Sequence, residues 1–134
     1  MEIEGRALLA GVAEGEALVL SAPISFWGGV DATTGNIIDK RHPQAGASVA
    51  GRVLVMPYGK GSSSASSVLA ECLRLGTGPR AIVLDLSDEI LLAGALVAGE
   101  LYDAACPIIV VPSIADFESG RRYRIEAGSA AELS

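Results

Sequence analysis

Three short apolar runs constrain this chain most: "GRVLVMP" (51–57), "RAIVLDL" (80–86) and "PIIVVP" (107–112). Each is short for a helix; the first two are too continuously apolar for a strand with one wet face and read as strands buried on both faces, and the last reads as a third short strand. Between the first two, apolar residues fall at Ala65, Val68, Leu69, Cys72, Leu73 and Leu75, which is one face of a helix starting near Ser64. Gly76 and Gly78 end that helix, and Pro79 stops its continuation. Between the second and third runs, Ser87 or Asp88 can cap a helix through about Ala98, with Gly99 at its C-terminal end. The resulting β-α-β-α-β order predicts parallel strands covered by helices.

The N-terminal part is β-rich. "IEGRALL" (3–9) and "GEALVL" (15–20) predict two strands around a glycine-containing turn. "ISFWGGVDATTGNIID" (24–39) reads as a loop that carries large apolar side chains, among them the only Trp, Trp27. Phe26 and Trp27 in such a loop mark a candidate interface. "KRHPQAGAS" (40–48) is a second, polar loop, and "GRRYRIEAG" (120–128) a half-exposed strand. The last residues, "GSAAELS", are expected to fray. The fold class is therefore α/β, a β-rich N-terminal part followed by a β-α-β-α-β core. No repeat or linker divides the chain, so 1–134 is expected to be a single domain with an ordered core of about 3–126.

Half of the residues are apolar but only 4% are aromatic, so the core must be built from Val, Leu, Ile and Ala. The net charge of −6 argues against a nucleic-acid groove, which needs a basic stripe. The cluster Arg121, Arg122, Arg124 fits the solvated face of an amphipathic strand. Cys72 and Cys106 have no metal-binding spacing and read as small core residues; a disulfide between them stays open. No signal peptide pattern and no run of about 18 apolar residues is present, so no membrane role is expected and a reducing, cytoplasmic setting is the default.

"MPYGKGSSSASSV" (56–68) carries the chemistry. One serine suffices to cap a helix, at about 1 kcal/mol, and Ser62, Ser63 or Ser64 can do so. The surplus mildly weakens the helix, since serine is a middling helix former. The alternative uses the same geometry. A strand that ends in Gly-x-Gly before a helix presents bare N–H groups and a positive dipole end. Gly59 and Gly61 would let a ligand approach the backbone, and Lys60 adds a charge. Such a site suits a carboxylate, a phosphate or a developing oxyanion. The spacing is not that of a Walker A loop. His42 is the only histidine; a Ser-His-Asp triad is conceivable, but no G-x-S-x-G elbow accompanies it. His42 reads first as a loop residue.

"GKGSSSAS" after a strand resembles the G-x-G-S-S turn in the swivelling domain of the aconitase superfamily. Together with "PISFWGGVDATTGNIID", "RHP" and "LLAGALVAGE", over roughly 3–126, it is similar to the small subunit of aconitase X. The resemblance implies a swivelling β/β/α domain that works with a separate large subunit, which would carry cysteine ligands for an iron or iron–sulfur centre. It implies a hydro-lyase reaction on a small hydroxy acid, with Ser62 as the base that takes a proton from carbon. Gly61, Ser63 and Lys60 would help bind substrate. A neutral hydroxyl is a poor base, so Ser62 would act as an alkoxide held by nearby N–H groups. In aconitases proper an Arg follows the serine pair; here Ser64 and Ala65 follow, so the carboxylate clamp must be backbone, Lys60 or the large subunit. Two activities compete within the family: dehydration of cis-3-hydroxy-L-proline to pyrroline-2-carboxylate, and dehydration of mevalonate 5-phosphate. The few cations near the turn, Lys60 and Arg41, and a Trp27 able to flank a compact ring favour the first. A non-catalytic, anion-binding or regulatory domain is the alternative of another class.

Overall fold

The computed structural model describes residues 2–60 and 63–133. In chain order the elements are β1 (Glu2–Glu4), β2 (Arg6–Leu9), β3 (Val12–Val19), α1 (Phe26–Gly29), β4 (Val53–Met56), α2 (Ser64–Leu75), β5 (Ala81–Leu84), α3 (Glu89–Tyr102), β6 (Ile108–Val110), β7 (Arg122–Glu126) and β8 (Ser129–Leu133). The three apolar runs are β4, β5 and β6, paired in parallel with Val53 opposite Ala81 and Ile82 opposite Ile108. Every residue of β4 and β5 is buried. Alternation explains why both faces are apolar. Val53, Val55, Ala81, Val83 and Ile109 share one core with Tyr123 and Ile125 of β7. Leu54, Met56, Ile82, Leu84 and Ile108 share the other with the helices. Each fully buried side chain of this size contributes about 1.5–3 kcal/mol.

The strand order is β1-β8-β7-β3-β4-β5-β6-β2. Only Gly5 separates β1, at one end of that order, from β2 at the other, so the sheet closes on itself as a barrel. The expected single strand 3–9 is thus two strands with different partners, β1 on β8 and β2 on β6, both antiparallel. Gly5 is required there, because a Cβ would run into the Val110 carbonyl oxygen. β3 starts at Val12, earlier than expected, and joins the two halves: Val12–Glu16 pair antiparallel with β7, and Ala17–Val19 pair parallel with β4.

Two further expectations fail at the C-terminal ends of elements. The tail does not fray. β8 pairs with β7 on one side and β1 on the other, after a two-residue turn at Ala127 and Gly128, both with positive φ. A run of small residues is held by ladder hydrogen bonds on both edges, which no local pattern reveals. α3 also continues past Gly99 to Tyr102 and ends at Asp103, whose left-handed backbone sends its N–H to the Ala98 carbonyl. An interior glycine costs about 1 kcal/mol in a helix, and this helix tolerates it. α1 is a single irregular turn inside the expected loop, with Trp27 and Gly28 outside helical geometry.

α2 and α3 pack closely against each other. At Gly94 a Cβ would lie 2.6 Å from the Ser66 carbonyl oxygen and 3.2 Å from Leu69 Cβ. Glycine on one helix and serine on the other allow this approach. Ser66 also donates its hydroxyl to the Ser63 carbonyl at 2.7 Å. One member of the serine block therefore has a packing role.

Candidate functional site

β4 runs into Pro57, whose carbonyl accepts the N–H groups of Asp85 at 2.9 Å and Leu86 at 3.3 Å. The C-terminal ends of β4 and β5 are thereby tied together, and both following helices start at this end. Ligands of parallel α/β sheets collect at such an end. Tyr58, Gly59 and Lys60 lead from here toward α2; Gly61 and Ser62 lie outside the described residues.

Gly59 does not leave room for a ligand, contrary to expectation. The Asp88 carboxylate fills the space where a Cβ would sit. That carboxylate also caps α3, accepting the Leu91 N–H at 2.8 Å. One acidic group thus braces the turn and closes the first turn of the neighbouring helix. Gly59→Ala is expected to push Asp88 off its cap, at a cost near the ~0.5–2 kcal/mol of a lost N-cap. Denaturant unfolding of Gly59→Ala, Asp88→Ala and the double variant checks this. The double variant should lose less than the sum of the singles, because both act on one contact; strict additivity would separate the two residues.

Ser63 is the N-cap of α2, but its side chain makes no capping bond. Its backbone is already helical (φ −57°, ψ −23°), whereas a capping hydroxyl reaches the free N–H groups from extended backbone. Of the three serines expected as candidate caps, Ser63 occupies the cap position without making the bond, Ser64 is already the first residue of the helix, and Ser62 lies outside the described residues. Ser63 and Ser64 are exposed at the positive end of α2.

Beside the turn lies an open cleft of about 280 Å³, lined by Ala22, Pro23, Asp39, Arg41, His42, Pro43 and Lys60. His42 is buried and pins its walls together. Its Nε2 lies 2.9 Å from the Ala22 carbonyl, and its Nδ1 accepts the Gln44 N–H at 3.0 Å. These partners assign the neutral tautomer with the proton on Nε2. Both ring nitrogens are occupied, so the triad reading loses its base and His42 is structural. Asp39 accepts the Arg41 N–H through Oδ1 at 3.0 Å. Arg41, expected with Lys60 as one of the few cations near the turn, shares this cleft with it, a contact between segments about twenty residues apart.

Among the described residues no group of three or more His, Cys, Asp or Glu side chains is placed to hold a metal ion. Cys72 and Cys106 are buried and unbonded to each other. Burial pushes the Cys72 thiol up to about 11 and the Cys106 thiol up to about 12. With no cluster of ligands formed around either buried thiol, the described residues do not fit an iron or iron–sulfur centre. Two of the three arginines near the C-terminus are paired: Arg121 with Glu118 and Glu132, and Arg124 with Glu14 and Glu126. No helix among the described residues is long and apolar enough to cross a membrane. Phe26 is fully buried in the core and leaves the candidate interface, whereas Trp27 is 62% exposed. Ile38 and Tyr58 are also exposed.

A closed barrel with two helices on its parallel strands and a serine-rich turn at their C-terminal end defines a swivelling β/β/α domain. The chain belongs to the aconitase X swivel-domain family, whose model matches residues 2–134. It is 48% identical over 103 residues to a cis-3-hydroxy-L-proline dehydratase of Pseudomonas aeruginosa, covering 77% of this chain but only 18% of that longer protein. It is 37% identical over 126 residues to the phosphomevalonate dehydratase small subunit of Pyrococcus furiosus, covering 94% of this chain and 90% of the relative. In structure it is similar to aconitase X from Thermococcus kodakaraensis, solved in its holo form: TM-score 0.90, 32% identity, with 100% of this chain and 99% of that chain covered.

Proposed function

We propose that this chain, as one working unit over 1–134, is the small subunit of a two-subunit aconitase X hydro-lyase that dehydrates cis-3-hydroxy-L-proline. The observation that carries this reading is the β4–α2 junction of a swivel-domain family member, where exposed Ser63 and Ser64 stand at the open end of a helix beside a cationic cleft. Ser62 is assigned as the base that removes the proton from the carbon next to the carboxylate. The C–H electrons form the double bond, the hydroxyl on the adjacent carbon takes a proton from solvent and departs as water, Ser62 returns its proton to solvent, and the enamine rearranges to pyrroline-2-carboxylate. The N–H groups at the start of α2 stabilise the Ser62 alkoxide. Gly61, Ser63 and Lys60 hold the substrate. The higher identity to the Pseudomonas aeruginosa dehydratase supports this substrate over mevalonate 5-phosphate, and the end-to-end match to a small subunit supports a separate large partner. That partner carries the iron or iron–sulfur centre for which the described residues offer no ligands. Free, buried Cys72 and Cys106 suit a reducing, cytoplasmic setting.

Trp27, Ile38 and Tyr58 supply apolar surface for the partner. The purified chain alone is expected to turn over neither cis-3-hydroxy-L-proline nor mevalonate 5-phosphate. Adding the large subunit should restore turnover of the first and change the fluorescence of Trp27. Unaided turnover by this chain would sink the subunit reading, as would a non-catalytic complex that merely binds anions. An unchanged Trp27 signal on complex formation would remove that residue from the interface.

A further inference from the structure

We propose that the cleft beside the serine turn is a subsite for the charged head of an α-imino acid: Arg41 and Lys60 receive the carboxylate, and Asp39 receives the ring ammonium. This deepens the proposed function and rests on it. The cleft joins three separated segments, Ala22–Pro23, Asp39–Pro43 and Lys60, and Lys60 stands two residues before Ser62. Its shape is imposed by hydrogen bonds that leave the cationic tips uncommitted. His42 holds segment 39–43 against Ala22, and the Asp39 carboxylate and carbonyl accept the N–H groups of Arg41 and His42, each at 3.0 Å. Arg41 is exposed, and neither its guanidinium nor the Lys60 ammonium enters an ion pair among the described residues.

A clamp is needed here for a structural reason. The position after the serine pair is Ser64, the first residue of α2, and the following Ala65 is buried, so neither can reach out to a carboxylate as an arginine would. Arg41 brings a guanidinium to the same side of the turn from another loop, and its planar fork suits a carboxylate. The charge pattern then selects among substrates. Two cations and one carboxylate match a zwitterion, with its anion and its ammonium on neighbouring atoms. A phosphomonoester would set its dianion against Asp39.

The test uses the reconstituted complex made catalytically silent by Ser62→Ala, so that binding is read without turnover. Calorimetry should show the Kd for cis-3-hydroxy-L-proline rising at least tenfold when Arg41→Gln or Lys60→Gln is added, with Arg41→Lys recovering part of the loss. Asp39→Asn should weaken cis-3-hydroxy-L-proline and leave mevalonate 5-phosphate equal or tighter. An unchanged Kd in both Arg41→Gln and Lys60→Gln overturns the subsite and leaves the proposed function standing. Asp39→Asn weakening only mevalonate 5-phosphate overturns the zwitterion assignment. Near-normal turnover by Ser62→Ala itself, measured first, overturns the proposed function instead. Unfolding midpoints equal to that of the parent complex establish that each variant is folded, and the Arg41→Lys arm carries the test if Arg41→Gln is not.

Discussion

Ser62→Ala in the reconstituted complex is expected to lower turnover at least about a hundredfold, the lower scale for losing an acid–base group. The same change should cost at most the ~1 kcal/mol of a helix cap. The two effects separate because they rest on different properties of one turn. Folding depends on the buried residues that follow it, beginning with Ala65, and on Asp88 packed against Gly59. In the proposed mechanism the rate depends on the Ser62 hydroxyl, and free N–H groups at a helix start would favour its anion. Ser63 does not spend its hydroxyl on the cap, so the helix end is not closed from that side. Ser67→Ala, at an exposed position one turn further in, is the control and should change neither rate nor stability. Ser66 is a poorer control, because its hydroxyl bonds the Ser63 carbonyl and its backbone meets Gly94. The decisive measurement is the rate of each variant beside its melting temperature. Near-normal turnover in Ser62→Ala would reduce the serine block to a redundant helix start.

Leu69→Ala is expected to destabilise the chain by about 2–5 kcal/mol in denaturant unfolding, the range for removing a fully buried leucine side chain. Leu69 has no exposed surface and sits where three elements meet. It belongs to the core shared by Leu54, Ile82 and Leu91, and its Cβ faces Gly94 across the α2–α3 contact. A cavity there can collapse little, since the barrel strands beneath are held by ladders on both sides. Leu101→Ala, at a residue 69% exposed, should stay within about 0.5 kcal/mol of the parent. A loss under 1 kcal/mol for Leu69→Ala would mean that α2 does not pack as described. At most a modest change in turnover is expected in the folded fraction, because Leu69 is fully buried in the core and has no surface to offer a substrate.

The apolar runs made β4, β5 and β6 legible from composition and length alone, because a strand covered on both faces has no polar position to display. The helical spacing from Ala65 to Leu75 and the Gly76 stop located α2 equally well; its last residue is Leu75, and Gly76 closes it in the left-handed conformation. Asp88 as the α3 cap was one of two candidates, and the structure selects it. The serine turn stood out because its hydroxyls exceed what a cap needs. Each of these is a local property, written in neighbouring residues.

Contacts between distant segments decided the rest. β8 exists because β1 and β7 offer it hydrogen bonds on both edges, and its own residues, Ser129–Leu133, carry no strand signal. The barrel closes because Gly5 can pass the Val110 carbonyl where a side chain could not. Phe26 and Trp27 look alike as neighbours in a loop; the core takes the first and leaves the second in solvent. Gly59 reads as an opening for a ligand until Asp88, twenty-nine residues on in the sequence, is found in the space. The cleft of Arg41, Asp39 and Lys60 is likewise a product of His42 fastening one loop to another. Periodicity and capping act over a few residues and can be read in order along the chain. Ladder pairing, close approach and shared clefts depend on which remote backbone arrives alongside, and that is settled only when the chain has folded.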